Sequence, residues 1–182
     1  MAIWNIDPSH SEITFKVRHL MISTVKGYFN QYEASLDGEE SNGFEGAKVS
    51  FSADIDSIST GNTDRDNHLK SADFFDAANH PKLTFVSTSF TKTGNNNYTI
   101  TGDLTIRGTT KSVTLEAEYH GSMVDFYGNT KAGFHLSGSI NRHDFGLAWN
   151  AVTEAGGIVV SEEVKLELDV QMSKVTIAEA VA

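Results

Sequence analysis

Val164-Lys165-Leu166-Glu167-Leu168-Asp169-Val170-Gln171-Met172 carries an apolar side chain at every second position and a polar one at each position between. Successive side chains of a strand point to opposite faces, so this stretch reads as a β-strand with one face buried and the other wet. The same period recurs upstream. Ile13, Phe15, Val17 and His19 share a face, as do Val49, Phe51, Ala53 and Ile55, then Leu83 and Phe85. It continues through Tyr98, Ile100, Gly102, Leu104 and Ile106, through Val113, Leu115, Ala117 and Tyr119, and through Ala132, Phe134, Leu136, Gly138 and Ile140. Turn-forming residues lie between the runs: Asp37-Gly38, Gly94-Asn95-Asn96-Asn97, Arg107-Gly108-Thr109-Thr110 and Tyr127-Gly128-Asn129. Pro8 and Pro81 stand outside strand interiors, where a missing N–H is tolerated.

One segment, about residues 62–79, breaks the alternation and is expected to hold one or two short helices, with Asn62 or Thr63 capping Asp64 to Lys70. About eight long antiparallel strands with one helical insertion predict an all-β fold. A sheet closed into a barrel removes the edges that long strands would otherwise expose. A two-sheet sandwich is the alternative, and strand count alone does not separate them.

The chain has 182 residues, which fits a single domain over 1–182, with 173–182 expected as a C-terminal tail. Its net charge of −10 repels phosphate backbones, and no Lys/Arg cluster interrupts the acidic balance, so nucleic acid is not an expected partner. Zero cysteines exclude disulfides, thiol nucleophiles and Cys-based metal sites. The first residues show neither a basic n-region nor an apolar run, and no later stretch has the length of a membrane span, so a cytoplasmic protein without membrane insertion is expected. The same sequence would fit a periplasmic protein whose signal peptide has been removed.

The seven histidines show no short metal-ligand spacing, and no metal is expected. Gly-x-Ser-x-Gly, phosphate-cradling and dinucleotide motifs are missing, and His143-Asp144-Phe145-Gly146 lacks the companions that kinase chemistry needs. A non-enzymatic role is therefore expected, with no catalytic residues and no required cofactor. A barrel of eight strands is near the size at which side chains fill the lumen or leave room for one small ligand. The apolar faces mix large residues with Ala53, Gly102, Ala117, Ala132 and Gly138, which predicts room for a ligand; the bland alternative is that these small residues mark bulges or corners. Expected lumen residues are Phe15, Val17, His19, Phe51, Ala53, Phe85, Ile100, Leu104, Leu115, Ala117, Phe134, Leu136, Leu166 and Leu168. A polar head group at the mouth would meet Arg18, Arg65, His68, Phe74, Phe75 and Arg142.

Several stretches resemble the YceI-like family of bacterial proteins. They are Trp4-Asn5-Ile6-Asp7-Pro8-Ser9-His10-Ser11, Phe15-Lys16-Val17-Arg18-His19, Gly27-Tyr28-Phe29, Ile58-Ser59-Thr60-Gly61 and Arg65-Asp66-Asn67-His68-Leu69-Lys70-Ser71-Ala72-Asp73-Phe74-Phe75-Asp76 with His80-Pro81. Gly102 to Lys111 and Asn141 to Gly146 add two later motifs, and the likeness runs from about residue 3 to 172. The resemblance implies an eight-stranded, lipocalin-like barrel whose lumen holds the isoprenoid chain of a quinone, prenyl phosphate or similar amphiphile. On that footing the expected function is binding, storage or transport of a long apolar lipid, with a homodimer and a stress-response role compatible. The competing readings are an enzyme acting on such a lipid, with His19 or His68 as acid/base and Arg18 or Arg65 as charge stabiliser, and a structural barrel with a filled lumen.

Overall fold

The computed structural model describes residues 2–150 and 159–176. Eleven strands form one antiparallel sheet: β1 (Ile3–Ile6), β2 (Glu12–His19), β3 (Ser23–Phe29), β4 (Tyr32–Asp37), β5 (Lys48–Asp54), β6 (Ile58–Ser59), β7 (Lys82–Lys92), β8 (Asn97–Ile106), β9 (Thr109–Val124), β10 (Thr130–Asn141) and β11 (Glu163–Lys174). The order β1-β4-β5-β7-β8-β9-β10-β11 closes because β11 pairs back onto β1, with Trp4 opposite Lys174 and Ile6 opposite Met172. The fold is a closed eight-stranded antiparallel barrel with one short helix, not a sandwich.

Eleven segments make eight staves because three staves are broken. The far half of β11, from Lys165 to Asp169, pairs with β2 rather than β1, so β1 and β2 are two halves of one stave interrupted by the turn at Pro8–His10. Pro8 has no N–H to give a neighbour, and the Asp7 side chain accepts the Ser9 N–H in place of a ladder bond. In the same way β3 pairs with β2 while β4 pairs with β1, and β5 and β6 are separated by the turn at Ile55–Ser57.

The alternation read from the sequence sets the two faces. Ile13, Ala53, Leu83, Phe85, Ile100, Leu104, Leu115, Ala117, Ala132 and Phe134 are buried inside. Expected turns at Gly94 to Asn97, at Arg107-Gly108 and at Tyr127 to Asn129 join adjacent strands. Asp37-Gly38 is not a tight turn: it opens a longer connection, Gly38 to Ala47 with a turn at Glu40–Asn42, that joins β4 to its neighbour β5. The insertion contains one helix, α1 (Thr63–Lys70), whose first turn is capped by the Asn62 side chain accepting the Arg65 N–H. The rest of 62–79 is turns. Ser173 and Lys174, placed in a tail by the sequence reading, belong to β11 and pair with Asn5 and Trp4; residues 177–182 lie outside the described residues.

A candidate lipid-binding lumen

A cavity of about 180 Å³ runs through the barrel interior. Among the described residues that line it, all are apolar except Thr14, which stands between the inward Ile13 and Phe15 and opposite Glu167 and Tyr28, so that its side chain takes the other face; none is titratable. Phe15, Phe51, Phe85, Ile100, Leu104, Leu115, Phe134, Leu136, Leu166 and Leu168, all expected inside, line this wall. Four expected lumen residues do not. Ala53 and Ala117 are buried but do not border the void. Val17 borders an open groove shared with Arg18, Met21 and Lys165. His19 ends β2, opposite Ser23, and bridges to Val160. Wall residues that the sequence reading passed over include Ile6, Phe29, Leu36, Val49, Phe90 and Met172. Val49 and Met172 stood in the alternating runs; Ile6 and Leu36 lie on strands too short to show a period.

The small residues on the inner face do not open space. A Cβ built on Gly27 would lie 2.2 Å from Phe15 Cζ, one on Gly102 would lie 2.5 Å from Phe85 Cζ, and one on Gly138 would lie 2.6 Å from Leu115 Cδ2. Each glycine is a seat for a large side chain from the neighbouring strand. The void survives because those side chains lie against the wall rather than across the lumen.

Aromatic side chains close both ends. At the end formed by β1 and the end of β9, Phe44 enters from the long loop between β4 and β5 and is almost fully buried. Its ring meets Trp4 at 5.7 Å, Tyr119 at 5.5 Å and Phe134 at 5.5 Å between centroids. The backbone holding it is strained: Phe44 has φ 59°, a left-handed conformation that costs a non-glycine residue roughly 1–2 kcal/mol. Tyr98 donates to the Gly43 carbonyl at 2.6 Å and braces the same loop. Burial pushes the phenols of Tyr98 and Tyr119 up.

The opposite end is covered by the α1 insertion and the chain from Arg142 to Asn150. Phe75 packs on Phe29 at 6.1 Å, and Phe29 on Phe15 at 5.6 Å, so a file of rings leads from the insertion into the lumen. Phe74 turns the other way, against Trp149 at 5.4 Å and His68 at 5.1 Å. The expected head-group residues are occupied by their own chain. Arg142 is buried, at 3% exposure, and donates to the carbonyls of Leu147, Trp149, Val160 and Ser161. That desolvation lowers its pKa, and the guanidinium acts as a clamp on two chain segments rather than as a mouth group. Arg65 donates to the Thr60 hydroxyl and carbonyl at 2.7 Å each. Arg18 donates to Thr24 Oγ1 and to the Met21 carbonyl. His68 Nε2 pairs with Asp73 Oδ2 at 2.9 Å, away from the cavity wall. Among the described residues no group of His, Asp and Glu side chains has the arrangement to hold a metal ion.

The comparisons with known proteins agree with this architecture. The UPF0312 protein of Staphylococcus epidermidis is 41% identical over 95% of this chain and 98% of its own length, and that of Staphylococcus aureus is 36% identical over the same shares. Among solved structures, the YceI protein of Campylobacter jejuni shares 36% identity at a TM-score of 0.75, over 87% of this chain and 90% of that one. A domain from Saccharophagus degradans, described as polyisoprenoid-binding and implicated in plant cell wall breakdown, matches at a TM-score of 0.64 over 93% and 97% of the two chains. At 14% identity that likeness shows the fold. The model of the YceI-like domain matches residues 4–172, and the chain belongs to the YceI-like family.

Proposed function

We propose that the barrel binds one apolar chain of the isoprenoid or quinone-tail type in its lumen and serves as a carrier or store for it. The observation that carries this reading is the void itself. Protein interiors are close-packed, and an unfilled core volume costs about 24 cal/mol per Å³. For 180 Å³ that is about 4 kcal/mol, a large share of the stability of a domain. A barrel with a filled lumen, the structural alternative, would not carry this cost. An engineered cavity of about 150 Å³ with a comparable apolar lining stays dry and takes up benzene. The void here is of that kind, and an apolar chain entering it recovers the lost contacts.

The wall favours binding over turnover. General acid–base catalysis needs a titratable side chain within hydrogen-bond reach of the substrate, and the described lining offers none. His19, His68, Arg18 and Arg65, the residues of the enzymatic alternative, do not line it. The likeness to a domain described as polyisoprenoid-binding supports the chain type.

The test is mass spectrometry of an organic extract of purified protein, with native mass spectrometry for stoichiometry. One isoprenoid or quinone species per chain is expected. Protein that emerges empty and takes up none of a panel of quinones and prenyl lipids delivered from detergent overturns the reading.

A further inference from the structure

The largest exposed apolar cluster of the described residues lies at the tip of the β9–β10 hairpin. Met123 is 77% exposed, Val124 65%, Phe126 106% and Tyr127 90%. These are not side chains caught on a floppy turn. Asp125 Oδ1 accepts the N–H groups of Tyr127 and Asn129 at 2.9 Å each, the Asp125 N–H donates to the Asn129 carbonyl, and Gly128 N–H closes the turn onto the Asp125 carbonyl. Gly128 takes φ 82°, which only glycine adopts cheaply. The turn therefore orders the backbone that carries two solvent-exposed aromatic rings, with the one carboxylate of the tip bonded to its own backbone.

On the β8 side the hairpin reaches beyond its neighbour, while on the other side β11 stays paired with β10 as far as Lys131 opposite Ser173. β8 stops pairing with β9 at Glu118, opposite Asn97, while the β9–β10 ladder continues to Val124 opposite Thr130. It is also joined to the aromatic plug of that end: Ser122 Oγ donates to Glu40 Oε1 at 2.7 Å, in the loop that carries Phe44, and Tyr119 of the same strand touches the Phe44 ring.

We propose that this hairpin docks the Phe44 end of the barrel on a lipid bilayer surface by shallow insertion of Phe126, Tyr127, Met123 and Val124. Phe and Tyr at a tip suit the interfacial zone, where a ring sits among acyl chains with its polar edge in water. A second copy of the chain is a poorer occupant, because four side chains on one turn fall short of the roughly 800 Å² per partner that a stable protein interface takes up. Charge selects the kind of bilayer. Residues 123–130 hold no cation, and Lys131, opposite Met123, is paired with Asp7 at 3.1 Å; Glu39, Glu40 and Glu45 lie in the adjacent loop, and the chain carries −10 overall. Attraction to anionic lipid is absent, so the docking is to zwitterionic membrane and depends weakly on salt. It places the strained Phe44 plug against the phase in which long isoprenoid lipids reside, and to that extent rests on the lumen reading.

The experiment is flotation of the full chain with phosphatidylcholine vesicles. Wild type is expected to float, the double variant Phe126→Ser/Tyr127→Ser to lose at least tenfold in bound fraction, and Leu20→Ser/Met21→Ser, altering the exposed tip at the other end, to float as wild type. Both Phe126 and Tyr127 are solvent-exposed, so the melting temperature of that variant stays that of wild type. As an independent readout, Tyr127→Trp gains a blue-shifted emission component on adding vesicles. Wild type that stays in the dense fraction, a serine double variant that floats undiminished, or a Tyr127→Trp variant whose emission does not shift overturns the proposal. So does a concentration-dependent dimer abolished by the serine double variant without any flotation. Extraction reports the lumen and flotation the tip, so each reading can fail alone.

Discussion

The ring of Phe15 lies against Gly27, its partner across the β2–β3 ladder, so closely that a Cβ on Gly27 would meet Cζ at 2.2 Å. Phe85 lies over Gly102 in a similar way, but there a Cβ would also meet the Val86 carbonyl at 2.6 Å. The difference decides what alanine does. At Gly27 the obstacle is the far end of a side chain that lines the cavity, so Phe15 can swing into the void. At Gly102 part of the obstacle is backbone, which cannot move without breaking the β7–β8 ladder. Both changes overpack, within the usual range of about 1–3 kcal/mol. Gly27→Ala is expected near the low end and Gly102→Ala near or above the high end. Gly27→Ala also lowers uptake of an apolar chain, because the displaced ring occupies the lumen. Urea melts order the two variants; equal losses would remove the argument.

Filling the void should separate stability from binding. Val49 lines the cavity from β5, and Val49→Phe adds apolar volume where atoms are missing. Recovered cavity volume stabilises, so an unchanged or raised melting temperature is expected for empty protein, together with at least a tenfold loss in affinity for a prenyl quinone. A variant that is stabilised yet binds as wild type would place the ligand elsewhere.

The barrel was legible because its strands obey a period that water enforces. Val164 to Met172 alternates without exception and forms most of β11, the stave that closes the ring. Much of the cavity wall follows from that period, since Phe85, Leu104, Leu115 and Leu166 had to point inward. Other features had no such signal. Whether Gly138 makes space or seats Leu115 depends on a side chain from another strand. Phe44 lies outside any periodic run, six residues beyond the Asp37-Gly38 turn signal, and only the closed barrel gives its ring a place to go. Arg142 looks from sequence like a free cation near a strand end; the carbonyls that consume it come from chain segments that converge only on folding.

Arg142 is a stability residue on this geometry. Its guanidinium bonds four backbone carbonyls, from Leu147, Trp149, Val160 and Ser161, at 2.5 to 3.2 Å. Removing it strands the Leu147, Trp149 and Ser161 carbonyls, while the Val160 carbonyl keeps Asn150 Nδ2 at 2.8 Å, at about 1–3 kcal/mol for each one left unsatisfied. Arg142→Met is expected to cost at least about 3 kcal/mol in urea unfolding. Arg142→Lys recovers only part, because an ammonium cannot reproduce the planar fork that spans both segments. Full rescue by lysine would mean that charge, not geometry, holds the loop.

Asp7 ties the break in the first stave to the wall two strands away. Its carboxylate accepts the Ser9 N–H at 3.0 Å, pairs with His10 Nδ1 at 2.9 Å and receives Lys131 Nζ from β10 at 3.1 Å. The hydrogen bond to His10, and then the bond and charge of Lys131, hold this carboxyl below its ordinary value of 3.8 against the opposing effect of burial. A pKa lowered in the folded state means that the fold prefers the ionised form. The stabilisation is therefore complete above the ordinary value and is lost as pH falls through the lowered one. Asp7→Asn removes the charge at every pH. It is expected to cost about 1.5–3 kcal/mol near neutrality, the usual worth of a hydrogen bond to a charged group. The gap to wild type then closes as the pH is taken below 3.8. Urea unfolding of both proteins across an acid series reads this directly, and a gap that stays constant into acid would show that Asp7 acts through the shape of its turn and not through its charge.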